Sequence, residues 1–203
     1  MAAVDDDRPV DGRTARAMRT RQVIVDACIT LIDEGDLSPT APRVAERAGV
    51  SVRSVFQHFD DLEGLYSAVG DRVLERLVGL VLRVDPELPL ERRLTLVVRQ
   101  RAMLLEALTP IRRAAFINAW NSAEVTHRMR AGQAFLRAEL SAAFAGEIAA
   151  AGDGGADLLI ALDTLLSWAS WDHLRTTVAL PHDDAVEVVE RMARAVLAAA
   201  RVG

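Results

Sequence analysis

The 203-residue chain contains no lysine; all 24 of its basic residues are arginine. We read that bias as GC-rich, bacterial coding, a compositional inference rather than a physical one. A single cysteine, Cys28, excludes a disulfide framework and suits a reducing cytoplasm. Aromatic residues make up only 4% of the chain while alanine and leucine abound, a balance that favours helices over sheets. No apolar run approaches the ~18 residues of a membrane span. The beginning of the chain, with Asp5-Asp6-Asp7, does not read as a signal peptide. The histidines, His58, His127, His173 and His182, fit no metal-ligand spacing. There is no HExxH, phosphate-binding glycine loop or nucleophile elbow. Glu124 with His127 reads as a helix cap with a polar neighbour, and Asp172 with His173 as an exposed pair. The expectation is a cytoplasmic protein that is not an enzyme and needs no cofactor or metal.

What the chain does have is helical periodicity. Val23, Ile24, Ala27, Cys28, Leu31 and Ile32 recur at helical spacing, with Gly35 as the stop. Cys28 lies on that stripe and reads as core filling. Thr40 starts a short helix with Pro42 in its first turn and Val44, Ala45 and Ala48 facing inward. Gly49 supplies the positive φ of a tight turn, and Ser51 caps the next helix, where Val55 and Phe59 point inward. Asp60 with Glu63 predicts a capping box for a long fourth helix reaching about Arg83.

Val84–Pro89 reads as a break. Helices are expected at roughly 90–108, in a short piece after Thr109-Pro110, from Asn121 to about 150, at roughly 156–178 and at roughly 182–201. The class expected is all-α with about nine helices: a three-helix N-terminal domain and a C-terminal bundle. The division expected is a flexible tail over 1–14, a reader over 15–66 and a body over 67–203.

The segment RVAERAGVSVRSVFQHF, residues 43–59, joins two short helices through a glycine turn and turns polar side chains outward, the pattern of a helix-turn-helix. A helix of this kind fits the DNA major groove, and a guanidinium such as Arg53 can bond both acceptors of a guanine edge. Ser51, Ser54 and His58 suit phosphate contact, with Thr40 close to the backbone. The net charge of −5 argues against nucleic acid as a bulk property, but Arg13, Arg16, Arg19 and Arg21 form a basic arm without an acid between residues 13 and 25.

Over residues 20–69 the chain resembles the N-terminal domain of the tetracycline-repressor-like (TetR) family. "RVAERAGVS" matches across the turn, and "SVFQHF" stands where that family usually has a tyrosine-containing "TLYxHF". The resemblance implies a homodimer through the last two helices, and a repressor released from its operator when a small hydrophobic molecule binds the C-terminal domain. It places Thr40, Ser51, Val52, Arg53, Ser54, Phe56 and His58 at DNA-facing positions. Three residues depart from the family pattern. Phe56 replaces a tyrosine, Leu62 stands where many members carry lysine, and Arg53 occupies a position commonly glycine or small.

For the dimer, Ala185, Val188, Val189, Met192 and Val196 form an apolar stripe on the last helix, which either a partner or the chain's own core could cover. Leu158, Leu162, Leu165 and Leu166 could join it. For a ligand site, Trp168 and Trp171 share a helix face, with Met103, Phe116, Trp120, Glu124 and His127 on helices that could face them. Two other classes stay open on the residues alone: a DNA-binding dimer indifferent to small molecules, and a helical enzyme or interaction module that binds no DNA.

Overall fold

The computed structural model describes residues 12–119 and 123–200, and every regular element among them is helical. In chain order these are α1 (Gly12–Asp33), α2 (Ala41–Ala48), α3 (Val52–His58), α4 (Leu62–Leu80), α5 (Leu90–Ala119), α6 (Ala123–Ala143), α7 (Ala145–Ala150), α8 (Gly155–Leu165), α9 (Trp168–Asp172) and α10 (His182–Ala199). A 3-10 turn, Gly152–Gly154, precedes α8, and a π-helical turn, His173–Thr177, follows α9. Of the tail expected over 1–14, residues 1–11 lie outside the described residues; α1 begins at Gly12.

The first four helices enclose one core. Ile24, Cys28, Ile32, Val44, Val55 and Leu65 are almost completely buried, and Ala114 of α5 closes this core from the side of the body. The stripe on α1 is wider than periodicity predicts: Val25 and Ile29 are buried, whereas Val23 is exposed. The reason is that α1 is flanked by α2, α4 and α5, so it presents an arc rather than a line. Burial pushes the Cys28 thiol up to about 12, with Asp36 adding to the effect, which fits a packing residue and not a nucleophile.

The second core lies in the body, where Leu94, Val98, Leu140, Phe144, Leu162 and Leu197 are buried among α5, α6, α8, α9 and α10. Between the two, Leu77 of α4, Leu104 of α5 and Leu136 of α6 form a small bridging cluster.

The break expected at Thr109-Pro110 does not occur, because α5 runs through Pro110. An interior proline costs about 3 kcal/mol. Burial of side chains such as Leu94, Val98, Leu104 and Leu105 along the same helix returns about 1.5–3 kcal/mol each. Thr109 Oγ1 meanwhile donates to the Leu105 carbonyl at 2.8 Å, one turn back.

In contrast, the helix expected at 156–178 is divided. Ser167 accepts a bond from Ser170 N and so caps α9 as a new helix after α8. The helix expected from Asn121 to about 150 likewise divides at Phe144; its predicted cap, Asn121, lies outside the described residues.

The capping box on α4 also needs correction: Asp61, not Asp60, is the N-cap, its Oδ1 accepting from Gly64 N at 2.8 Å. That helix ends at Leu80, short of Arg83, and the chain beyond it extends until Val84 packs on the body core.

Arg93 fastens this junction. It is 7% exposed; its Nε donates to Leu88 O at 2.8 Å, and its fork meets both oxygens of Glu147 at 2.8 and 2.7 Å. Its Nη1 also reaches Ala143 O at 2.6 Å, so one guanidinium ties the loop before α5 to the end of α6 and to α7. Glu147 holds the guanidinium above its ordinary pKa.

A helix-turn-helix face and an apolar cavity

Gly49 carries the turn between α2 and α3 at φ +66°, a left-handed conformation that a side chain would strain. Its N–H donates to Glu46 O at 3.2 Å and that of Val50 to Ala45 O at 3.0 Å, closing the end of α2. Ser51 then accepts from Ser54 N at 3.1 Å and caps α3. Thr40 stands at the N-cap of α2 with Pro42 in the first turn, but its hydroxyl makes no capping bond and the residue is exposed.

Inside, α3 buries Val55, and Phe59 follows it into the core. Outside, Ser51, Val52, Arg53 and Phe56 are exposed, while Ser54 and His58 are partly buried at the flanks. Gln57 is exposed beside them and was not among the expected contacts. Leu62, which departs from the expected pattern, is partly buried and packs against the domain core.

The charges around this face are uneven. Arg47 forks onto Glu34, with Nη1 to Oε1 at 2.7 Å, and holds that carboxyl below its usual range. Arg43 meets Asp36 at 2.6 Å. Arg21 lies over the Phe59 ring, 4.6 Å from its centroid. Among the described residues no carboxylate pairs with Arg53, Arg16 or Arg19, so these three keep their charge available to an anion. Of the fourth residue of the arm, Arg13, only the backbone is described.

A cavity of about 100 Å³ lies where the two cores meet. Its walls are Ile32 of α1, then Tyr66, Val69, Val73 and Leu77 of α4, Leu108, Ile111 and Arg112 of α5, and Val125, Arg128 and Met129 of α6. Gly70 of α4 permits a close approach here. A Cβ at this position would stand 2.8 Å from Cδ of Arg128, whose Nη1 pairs with Asp71.

Of the residues expected around a ligand, none of those described lines this cavity. Met103 and Phe116 are exposed on α5 and His127 on α6. Trp171 is buried in the body core, its Nε1 donating to Glu106 Oε2 at 2.8 Å and its ring edge-on to His182. Trp168 packs against the same core and donates to Thr109 Oγ1 at 3.3 Å. The two tryptophans therefore brace α9 against α5. Trp120 and the side chain of Glu124 lie outside the described residues.

The stripe on α10 divides too. Ala185 and Val189 are buried in the chain's own body core, Val188 and Val196 are half-buried, and Met192 is exposed. On α8, which packs beside α10, Leu158 and Leu162 are buried with Leu166, Leu165 is half-buried, and Ile160 is exposed.

Residues 24–69 match the family model of bacterial regulatory proteins, tetR family. No curated protein matches the chain in sequence. Solved structures share its fold over nearly the whole length. A transcriptional regulator from Rhodococcus sp. Rha1 superposes with a TM-score of 0.64 at 17% identity, over 92% of this chain and 98% of that one. A TetR transcription regulator from Haloarcula marismortui gives 0.67 at 20% identity, over 90% and 98%. The multidrug binding protein EbrR, complexed with imidazole, gives 0.56 at 20% identity, over 85% and 93%. No helix among the described residues is long and apolar enough to cross a membrane. Over residues 24–69 the chain is similar to the tetR family of bacterial regulatory proteins, and over nearly its whole length it shares the fold of these solved structures.

Proposed function

We propose that the chain is a cytoplasmic, homodimeric repressor that reads its operator with α3 and leaves it when a small hydrophobic molecule enters the cavity between α4, α5 and α6. The observation that carries this reading is the position of α4. One stretch of this helix, through Leu65, Ala68 and Val69, belongs to the core that holds α3, and Val73 and Leu77 form the wall of the cavity. A ligand that favours one placement of α4 therefore favours one placement of α3, which is a population shift with a defined element.

On DNA, Arg53 serves as the base reader, with Val52 and Phe56 offering apolar contact in the groove. Thr40, Ser51, Ser54 and His58 take phosphates, and Arg16 and Arg19 add charge from α1. For the dimer, Met192 of α10 and Ile160 of α8 form the apolar surface left over after the body core is built. Pairing through it sets the two α3 helices at a fixed separation, and half-sites must match that spacing. Support for a small-molecule effector comes from the cavity and from the likeness in fold to EbrR. We place the effector in this cavity rather than beside Trp168 and Trp171, which pack in the body core.

Footprinting of duplex DNA from upstream of the chain's own coding region, with light scattering of the same sample, tests the proposal. A protected two-half-site segment and a mass of two chains are expected. A monomer without protection at low salt would contradict it.

A further inference from the structure

Arg112 and Arg113 are consecutive on α5, and their surroundings are opposite. Arg113 Nη2 reaches Asp172 Oδ1 at 2.8 Å and Thr176 Oγ1 at 2.7 Å. Arg112 lines the cavity between α4, α5 and α6, and among the described residues it has no hydrogen-bond or ion-pair partner. It is half-buried, and burial alone pushes its guanidinium down from the ordinary value.

Most of the wall is apolar: Val69, Val73, Leu77, Leu108, Ile111 and Met129. The other arginine there, Arg128, is paired with Asp71 of α4. The cavity is thus a greasy space with one positive charge that the described residues do not compensate. Arginine does not escape this by losing its proton at neutral pH. A desolvated, unpaired charge is costly, and the group that removes the cost is a planar anion meeting the guanidinium fork.

We propose that the ligand of this cavity is a small apolar molecule ending in one carboxylate, with the carboxylate on Arg112 and the apolar part among Val73, Leu77 and Met129. The assignment rests on the reading of this cavity as the effector site and names the chemical class of the effector. A cation would meet two arginines. A neutral molecule would leave Arg112 drier than before and still unpaired. The volume of about 100 Å³ is smaller than the ~150 Å³ of an apolar cavity that takes benzene. A short aliphatic chain or a single ring is therefore the size that modest widening admits.

The test is calorimetry on the full chain with straight-chain carboxylates from butanoate to decanoate, each beside its primary amide and its amine. At the best chain length the acid is expected to bind about tenfold or more tighter than its amide. The amine should bind weakest. Arg112→Gln should bring the acid down to the amide without weakening the amide. Arg112→Lys, which keeps the charge but not the fork, should keep part of the preference and carries the comparison if the glutamine variant does not fold. Acids and amides binding equally, or an acid preference that survives Arg112→Gln, would overturn the charge assignment and leave the cavity standing as a ligand site. No binding by any of the three classes at any length would overturn the site itself, and the assignment with it.

Discussion

The hydroxyl of Tyr66 on α4 donates to the carbonyl of Pro39 at 3.2 Å, while Tyr66 also forms part of the cavity wall. Pro39 is the residue before Thr40, at the entry to α2. One side chain thus touches both the cavity and the backbone that leads into the helix-turn-helix.

Tyr66→Phe removes that bond and the hydroxyl's hydrogen bond with the Ser38 side chain, and leaves the ring in place. The expected loss of stability is about 0.5–1.5 kcal/mol for each hydrogen bond, read from urea unfolding. The effect of a cavity ligand on operator affinity should shrink in the same variant. An undiminished ligand effect would show that the coupling runs through other contacts of α4.

Arg53→Ala is expected to cost about 1–3 kcal/mol at one operator base pair and to flatten the preference there. Alanine at Arg16 or Arg19 should instead weaken binding to all sequences alike and reduce the salt dependence. Binding titrations against single-base operator variants separate the two effects. Equal losses on every sequence with Arg53→Ala would demote it to a phosphate contact.

How much of this could be read from the sequence depends on how local the determinant is. The turn at Gly49 and the cap at Ser51 are short-range chemistry, and both stand as the residues predict. Pro110 misleads because the packing of a thirty-residue helix overrides the local penalty of one proline. Val23 misleads because periodicity gives a face but not its width. The cavity was illegible for a different reason. Most of its walls are apolar side chains that read as core on each helix separately, and only the assembled structure shows where four such faces fail to meet and that Arg112 stands among them. Trp171 carried a visible signal, a large aromatic at helical spacing. Its role, a buried brace on Glu106, is set by a residue 65 positions away.

Glu147→Ala should be among the most damaging substitutions in the body. It would leave Arg93 buried without its anion, and breaking one partner of such a pair costs about 3–5 kcal/mol. A fall in thermal midpoint well beyond that of a surface substitution is expected. Replacing both Arg93 and Glu147 by apolar residues should cost less than the single change. If Glu147→Ala is neutral, the junction before α5 does not depend on the ion pair.

Cys28 should resist alkylation in the native protein between pH 7 and 9, since its thiol is buried and its pKa is pushed up to about 12. Because the folded value lies above the ordinary 9.0, the folded state binds the proton more tightly. Its contribution is intact below about pH 9 and is lost as pH rises towards 12. Iodoacetamide labelling followed by mass spectrometry should show modification only when the chain unfolds. Rapid native labelling at pH 8 would contradict the burial.

Arg175 and Trp171 hold the Glu106 carboxyl below its usual range. A depressed carboxylate stabilises the fold above its unfolded value and stops doing so as pH falls through the folded one. Trp171 fluorescence should therefore change in acid, below the ordinary 4.5, and the acid transition of Glu106→Gln should lack that component. An identical acid profile in the variant would show that other carboxylates govern it.

Whether α3 reads DNA is decided by fluorescence anisotropy of the full chain on duplex DNA from upstream of its own coding region, at two salt concentrations, with scrambled competitor. Tight binding that survives the competitor, weakens as salt rises and is impaired by Arg53→Ala is the predicted result. No association even at low salt would contradict it.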